Sequence, residues 1–337
     1  MNIYDDARES ANEVLRPESK HGDPRITERY FSNDEDYPSI GIANIQAAVP
    51  DIEANKAKIV RAVEIFKQRK ANAAIFPEFC LSGYFWEDET SCRRYMDQAV
   101  IENHVDWIHG TLRPLLDDTL RVIIFNNIRR APENKYYNST YVLTNRIEPG
   151  KSKIIYDKVF LPGIERKYTD TGRDDRLVID GRYGRFGFTT CYDILFSQLV
   201  LEYARIDRVD AIVEIASWRA IAARDYPGMN VATDTYYADL WDMLLPATAA
   251  MNQVWIIACN AVGKHPISGA AFWGGSGLWA PSGLKLLQAS HIHEELLVIH
   301  NVDIQGQRQV ERDDFDYAVD FDSVYRPVKG KRAFSRI

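Results

Sequence analysis

Residues Phe186 to Thr190 are mostly aromatic or β-branched and read as a short buried strand. They run almost directly into Ile194 to Arg205, where apolar residues recur at helical spacing. Cys191 stands at the junction, in Gly187-Phe188-Thr189-Thr190-Cys191-Tyr192-Asp193. The first turn of a helix offers unpaired N–H groups and the positive end of a dipole. A thiolate is favoured there and its pKa is expected to be lowered. The alternative at this point is a buried, inert cysteine.

The same alternation runs through the chain. Ile40 to Ile45 reads as a strand and Asp51 to Arg69 as an amphipathic helix, with Ile52, Ile59, Val63 and Phe66 near one face. Ala73 to Phe76 is the next strand. A helix is expected over His104 to Leu116, then strands at Arg121–Asn126, Tyr136–Leu143 and Lys153–Val159. The second half repeats the theme with a strand at Ala211–Ile215, a helix at Asp239–Asn252 and strands at Val254–Asn260 and Leu296–Ile299. This order predicts a layered α/β domain with strands in both directions. Met1 to Tyr37 is polar and charged, with one short helix at Ala7 to Leu15; it reads as a solvated arm or a contact with another subunit.

The 337 residues suffice for a sizeable core. A net charge of −7 argues against a nucleic-acid surface. No run of ~20 apolar residues is present, so no membrane span is expected. The N-terminal stretch lacks the apolar core of a signal peptide. Cys80, Cys92, Cys191 and Cys259 show neither CxxC pairs nor regular spacing, which weakens zinc and disulfide readings and suits a reducing, cytoplasmic setting. Asn138-Ser139-Thr140 fits a glycosylation sequon that means little without a secretion signal. His291 and His293, beside Glu294 and Glu295, read as charged residues before a strand rather than as metal ligands. The glycines of Gly274-Gly275-Ser276-Gly277 are followed by neither a lysine nor a helix, so a phosphate loop does not fit.

Two further stretches carry chemistry. Pro77-Glu78 follows the Ala73–Phe76 strand, where partial burial would raise a carboxyl pKa and suit a general base; most such glutamates are structural. Lys158 lies inside the apolar run Ile154 to Pro162, where a lysine needs a partner or serves as a fixed cation facing developing charge. In this order, Pro77-Glu78 with Gly83-Tyr84, Asp157-Lys158-Val159-Phe160-Leu161-Pro162 and Cys191-Tyr192-Asp193 resemble the Glu-Lys-Cys triad of the nitrilase, or carbon–nitrogen hydrolase, superfamily. Gly274, Ser276, Leu278, Pro281 and Gly283 match a further element of that family.

The resemblance implies a four-layer α-β-β-α sandwich with mixed sheets. It implies a hydrolase domain over residues 39–303, preceded by the extension 1–38 and followed by a tail, 304–337, that packs on a partner subunit. The implied reaction cleaves a non-peptide C–N bond of a small amide or ureido substrate. Glu78 is the implied base, Cys191 the nucleophile that forms a thioester, and Lys158 with the Tyr192 N–H the oxyanion holder. Glu165 matches the family's second glutamate, while Tyr84, Asn126 and Trp218 are expected either to line the pocket or to be structural. Neither metal nor cofactor is implied, and a homodimer or larger homo-oligomer is. The chain departs from the family at Phe196-Ser197-Gln198, at Thr248 to Asn252, and at Ile194 and Leu195, where some carbamoyl-amino-acid hydrolases carry arginines. Cys191-Tyr192-Asp193 is the form of many amidases and carbamoyl hydrolases. Acyl transfer, nitrile hydrolysis and a non-catalytic assembly role are the competing readings.

Overall fold

The computed structural model describes residues 24–84, 89–146, 154–172, 176–267 and 269–325. The larger sheet takes β1 (Arg25–Tyr30), β2 (Ile40–Asn44), β3 (Ala73–Ile75), β4 (Val122–Arg130), β5 (Tyr136–Thr144) and β6 (Ile155–Asp157). Next, β7 (Val178–Gly181), β8 (Gly184–Thr190) and β9 (Ala211–Ala216) begin the smaller one. A separate hairpin, β10 (Arg224–Tyr226) and β11 (Val231–Thr233), precedes β12 (Trp255–Asn260). A second pair, β13 (Val262–Lys264) and β14 (Ala271–Trp273), precedes β15 (Gly277–Trp279) and β16 (Lys285–Gln288). The last strand, β17 (Glu295–His300), returns to the first sheet. The sheet orders are β1-β17-β2-β3-β4-β5-β6 and β16-β15-β12-β9-β8-β7, each mixing parallel and antiparallel pairs.

Every residue of β2, β9, β12 and β17 is buried, which requires cover on both faces of both sheets. One face of each meets the other sheet, through Ile42, Ile75, Ile124 and Leu297 against Phe188, Val213, Ile215 and Ile257. The outer face of the larger sheet is covered by α1 (Ile52–Gln68), whose Ile59, Ala62, Val63 and Phe66 pack on Ala43, Ala74, Phe76 and Ile123. Asp51 caps α1 by accepting from the Ala54 N–H at 2.9 Å. The helix sits so close that a Cβ at Gly41 would lie 2.5 Å from the Phe66 ring. A second helix, α2 (Glu89–Ala99), packs beside the turn after Glu78. The smaller sheet is covered by α3 (Ser197–Arg205) and α4 (Tyr236–Asn252), through Leu199, Val200, Tyr203, Trp241 and Leu245. The four layers α-β-β-α are therefore present, and α5 (Ile304–Asp314) follows β17.

Besides adding short elements such as β7, β10 and β11, the structure departs from the sequence reading at four stretches. Within the stretch read as an extension, β1 pairs in parallel with β17 from Arg25↔Glu295 to Tyr30↔His300. An edge strand is held by main-chain bonds, so its polar side chains left no apolar alternation to read. The helix expected over His104–Leu116 is a run of short irregular turns from Ile101 to Leu115, the last of which, Arg113–Leu115, holds Pro114. The strand expected over Lys153–Val159 covers only Ile155–Asp157, so Lys158 falls just past its end. The helix after Cys191 is broken: a tight 3₁₀ turn spans Cys191–Leu195 before α3 begins. The short helix read at Ala7 to Leu15 lies outside the described residues. Among the described residues no helix is long and apolar enough to cross a membrane.

Candidate active site

Glu78, Lys158 and Cys191 each follow the C-terminal end of a strand: β3, β6 and β8. The loop after β3 is pinned by Glu78 N–H donating to Ala216 O at 3.3 Å and Phe79 N–H donating to Asn126 Oδ1 at 2.9 Å. Lys158 N–H donates to Asn138 O at 2.8 Å. Cys191 has φ of +53°, a left-handed conformation that costs a residue with a Cβ about 1–3 kcal/mol. That strain is held by the turn it opens. Thr190 is its cap, and Asp193 reaches back to accept from Thr190 N–H at 3.0 Å. Asp193 also accepts from Tyr156 Oη–H at 2.6 Å and from Phe160 N–H at 2.7 Å.

The three stretches converge on one buried cation. Lys158 Nζ donates to Glu78 Oε1 at 2.9 Å and to Glu165 Oε1 at 2.8 Å, all three side chains being sealed from solvent. Asn138 Nδ2 spans the same two carboxylates, 2.7 Å from Glu78 Oε1 and 3.3 Å from Glu165 Oε2. Ser217 N–H holds Glu78 Oε2 at 2.8 Å, and Tyr84 Oη–H donates to Glu165 Oε1 at 2.8 Å. Burial works against the Lys158 charge, but Glu165 and Glu78 outweigh it and hold the ammonium well above its ordinary range. Burial pushes the Glu165 carboxyl up, and Lys158 opposes that rise.

Cys191 is half-buried, while its thiol lies within electrostatic reach of all three charged groups. The thiol is pushed well up, first by burial and then by the Glu78 carboxylate, with Lys158 pulling the other way. This corrects the expectation of a lowered pKa. The helix-terminus argument counts N–H dipoles but not the carboxylate that the fold brings alongside. A cavity beside Glu78 is lined by Gln46, Gly83, Tyr84, Ser217, His265 and Phe272.

A sequence model described as carbon-nitrogen hydrolase matches residues 40–312. The chain belongs to the carbon–nitrogen hydrolase family. It is accordingly an enzyme of the nitrilase superfamily, a hydrolase acting on C–N bonds other than peptide bonds. The chain is 24% identical over 293 residues to a probable nitrilase of Schizosaccharomyces pombe, covering 83% of this chain and 94% of that protein. It is 25% identical over 272 residues to the chloroplastic omega-amidase of Arabidopsis thaliana, covering 79% and 67%. A solved structure of a mutant amidase from Nesterenkonia sp. AN1, with acrylamide added at its active site cysteine, shares the fold. Its TM-score is 0.63 at 19% identity, over 83% of this chain and all of that one.

The remaining sequence candidates of this carbon–nitrogen hydrolase fall into two groups. Tyr84 joins the site through Glu165 and sits edge-on to Phe272 at 6.2 Å. Tyr192 opens the turn with Cys191, its ring edge-on to Phe196 at 5.3 Å. Asn126 stands one layer behind: its Nδ2 donates to Asn138 Oδ1 at 2.8 Å and Thr140 Oγ1 at 3.0 Å, while its Oδ1 receives Phe79 N–H. The Trp218 ring packs on Tyr237 and Trp241, its Nε1 donating to Tyr237 O at 2.7 Å; its neighbour Ser217 meets Glu78. The Gly274–Gly283 element is a clasp between the sheets, with Ser276 Oγ–H donating to Asn44 Oδ1 at 2.8 Å. Among the described residues no group of three or more His, Cys, Asp and Glu side chains is placed to hold a metal. Asn138, Ser217 and Tyr156 escaped sequence reading. The one signal for Asn138 was a run of polar residues, Asn138-Ser139-Thr140, in a strand that is otherwise apolar or aromatic.

Two predictions arise here. Asn138→Leu removes the donor shared by both carboxylates, and a buried acceptor left short costs about 1–3 kcal/mol. Urea unfolding should show a loss of that size; an unchanged midpoint would mean the amide is dispensable. The second concerns Asp193, whose carboxyl burial pushes up to about 6 despite the bonds from Tyr156, Phe160 and Thr190. A carboxyl whose pKa rises on folding adds stability below its unfolded value of 3.8, and that stability is lost as pH climbs through about 6. Asp193→Asn is expected to flatten this part of the melting temperature against pH. A slope that survives the substitution belongs to another group.

Proposed function

We propose that this carbon–nitrogen hydrolase cleaves the amide or N-carbamoyl bond of a small molecule through a thioester on Cys191, without a cofactor. The observation that carries the reading is Lys158 clamped between Glu78 and Glu165 beside a cysteine held at positive φ. A thiol kept protonated by burial and by a carboxylate needs its base to act as the attack occurs, and Glu78 is that carboxylate. Sγ bonds to the carbonyl carbon as its proton passes to Glu78. Lys158 and the Tyr192 N–H, an early donor of its turn, face the oxyanion. Glu78 then gives the proton to the departing ammonia or amine, takes one from the water that attacks the thioester, and returns it to Sγ as the C–S bond breaks and the acid leaves. Glu165 fixes Lys158 through its charge and is itself held by Tyr84 and Asn138.

Similarity to the omega-amidase of Arabidopsis thaliana and to the deaminated glutathione amidase of Dictyostelium discoideum favours amides over nitriles. Ammonia release should be measured across short amides, N-carbamoyl amino acids and nitriles, with and without an added amine. The reading expects ammonia from the first two classes without any amine. Release from nitriles alone, or acyl products formed only when an amine is supplied, would replace it. The working unit proposed is a homodimer. Neighbouring helices α3 and α4 leave Leu201 and Met243 exposed, an arrangement suited to a second copy. Light scattering at micromolar concentration should give at least twice the chain mass, and a monomer alone would contradict the pairing.

A further inference from the structure

The site contains an acid that the mechanism above does not use. Glu214, in β9, is fully buried and stands in register with Thr189 of β8, two residues before Cys191. Its Oε2 accepts from Thr189 Oγ1–H at 2.5 Å, and its Oε1 has no hydrogen-bond partner among the described residues. The contrast with the other buried acids of the site is sharp. Glu78 receives donors from Lys158, Asn138 and Ser217. Glu165 receives them from Lys158, Tyr84 and Asn138. Asp193 receives them from Tyr156, Phe160 and Thr190. Four buried carboxyls thus share one buried ammonium, and three of them are fully served while Glu214 has a single hydroxyl.

A buried carboxylate with one neutral donor is far more costly than a buried carboxylic acid. The groups within electrostatic reach make the charge worse. Asp193 and Cys191 lie in the turn after β8, Glu78 in the loop after β3 and Tyr156 in β6, against Lys158, a positive group just past β6. The neighbour in β12 is Ala258, and the elements over this face offer apolar side chains such as Ile194 of the turn after β8 and Trp241 of α4. Burial pushes the Glu214 carboxyl well up, in line with this count.

We propose that Glu214 is a positioning residue that works as an uncharged carboxylic acid, tying the strand that ends in Cys191 to β9 without setting a second negative charge behind the thiolate. The proposal rests on Cys191 as the nucleophile. An ionised Glu214 would oppose thiolate formation, so here the proton withholds the charge while the hydrogen bond donated by Thr189 Oγ1–H supplies the tie.

The test has one arm that needs no substrate. The infrared difference spectrum of the parent minus Glu214→Gln, at mildly alkaline pH, should show the carbonyl band of a protonated carboxylic acid. A carboxylate band in its place overturns the proposal, whatever becomes of the nucleophile assignment. The second arm is kinetic. Glu214→Ala should lower kcat by roughly tenfold to a hundredfold with little change in KM, the expected cost of a misplaced reacting group. Glu214→Gln, neutral and of the same length, should recover most of that loss. A Gln variant as impaired as the Ala variant, in protein that melts normally, would show that the carboxyl itself is required and would overturn the proposal. Failure of the Cys191 assignment would show separately, as turnover that survives Cys191→Ala.

Discussion

Cys191→Ala is expected to lose turnover by about a million-fold, the scale on which removing a covalent nucleophile acts. The fold should stand. The side chain is half-buried and small, and alanine meets the same φ of +53° that cysteine does. The turn is held by Thr190, Asp193, Tyr156 and Phe160, none of which bonds through Sγ. Deleting the thiol also removes a group whose ionisation burial opposes. Melting close to the parent temperature with no ammonia release is therefore the predicted pair of results. Activity surviving in a preparation free of parent enzyme would move the chemistry to another residue. Cys80 and Cys259 are poor candidates, since both are buried and their thiols donate to main-chain oxygens, Asn126 O for Cys80 and Ala43 O for Cys259.

Lys158→Gln is expected to strike twice. A donor facing charge that develops in the transition state is worth about 3–4 kcal/mol, so kcat and kcat/KM should fall together by roughly 10² to 10³. Stability should fall as well, which sequence reasoning alone does not anticipate. Removing a buried lysine looks harmless or even favourable while the lysine is considered by itself. The structure makes it the shared partner of two carboxylates with no exposure to solvent. Breaking such a buried pair costs about 3–5 kcal/mol, because the charges left behind stay buried. Part of that loss is recoverable by protonation. Without the ammonium, the Glu165 carboxyl, already raised by burial, rises further. A carboxyl raised on folding loses stability as pH increases, so the variant should be nearest the parent at mildly acidic pH and furthest from it at alkaline pH. Urea unfolding at both conditions, with kinetics on the same sample, checks the sign and the pairing. A variant that unfolds early yet turns over at the parent rate would make Lys158 purely structural.

The parts of this architecture that were legible in the chain are those written in side-chain pattern. Ile59, Val63 and Phe66 at helical spacing announce α1, and the apolar runs at Ile40, Ala211 and Trp255 announce strands covered on both faces. Glu78 and Cys191 stood out at strand ends, and Lys158 as a charge inside an apolar run. What was not legible depends on partners far apart in sequence. The strand β1 is set by main-chain pairing with β17, some 270 residues away, and polar side chains at an edge carry no period. Asn138 stood out only as part of a sequon that meant little, and only the alignment of β5 beside β6 turns it toward Glu78 and Glu165. The Cys191 thiol was read from its local turn, while its proton affinity is governed by burial and by Glu78, more than a hundred residues away in sequence. Glu214 sat unremarked in an apolar strand, because sequence shows a charge among hydrophobes but not whether it has one donor or three.

The most direct test of the account is to catch the intermediate. The enzyme should be quenched in acid during turnover of a short amide that it is found to hydrolyse, then digested and weighed. The account predicts that the peptide carrying Cys191 gains the mass of the acyl group, that the gain is removed by hydroxylamine as a thioester is, and that Cys191→Ala shows none. An acyl group on any other residue, or rapid turnover with Cys191 never modified, would contradict it.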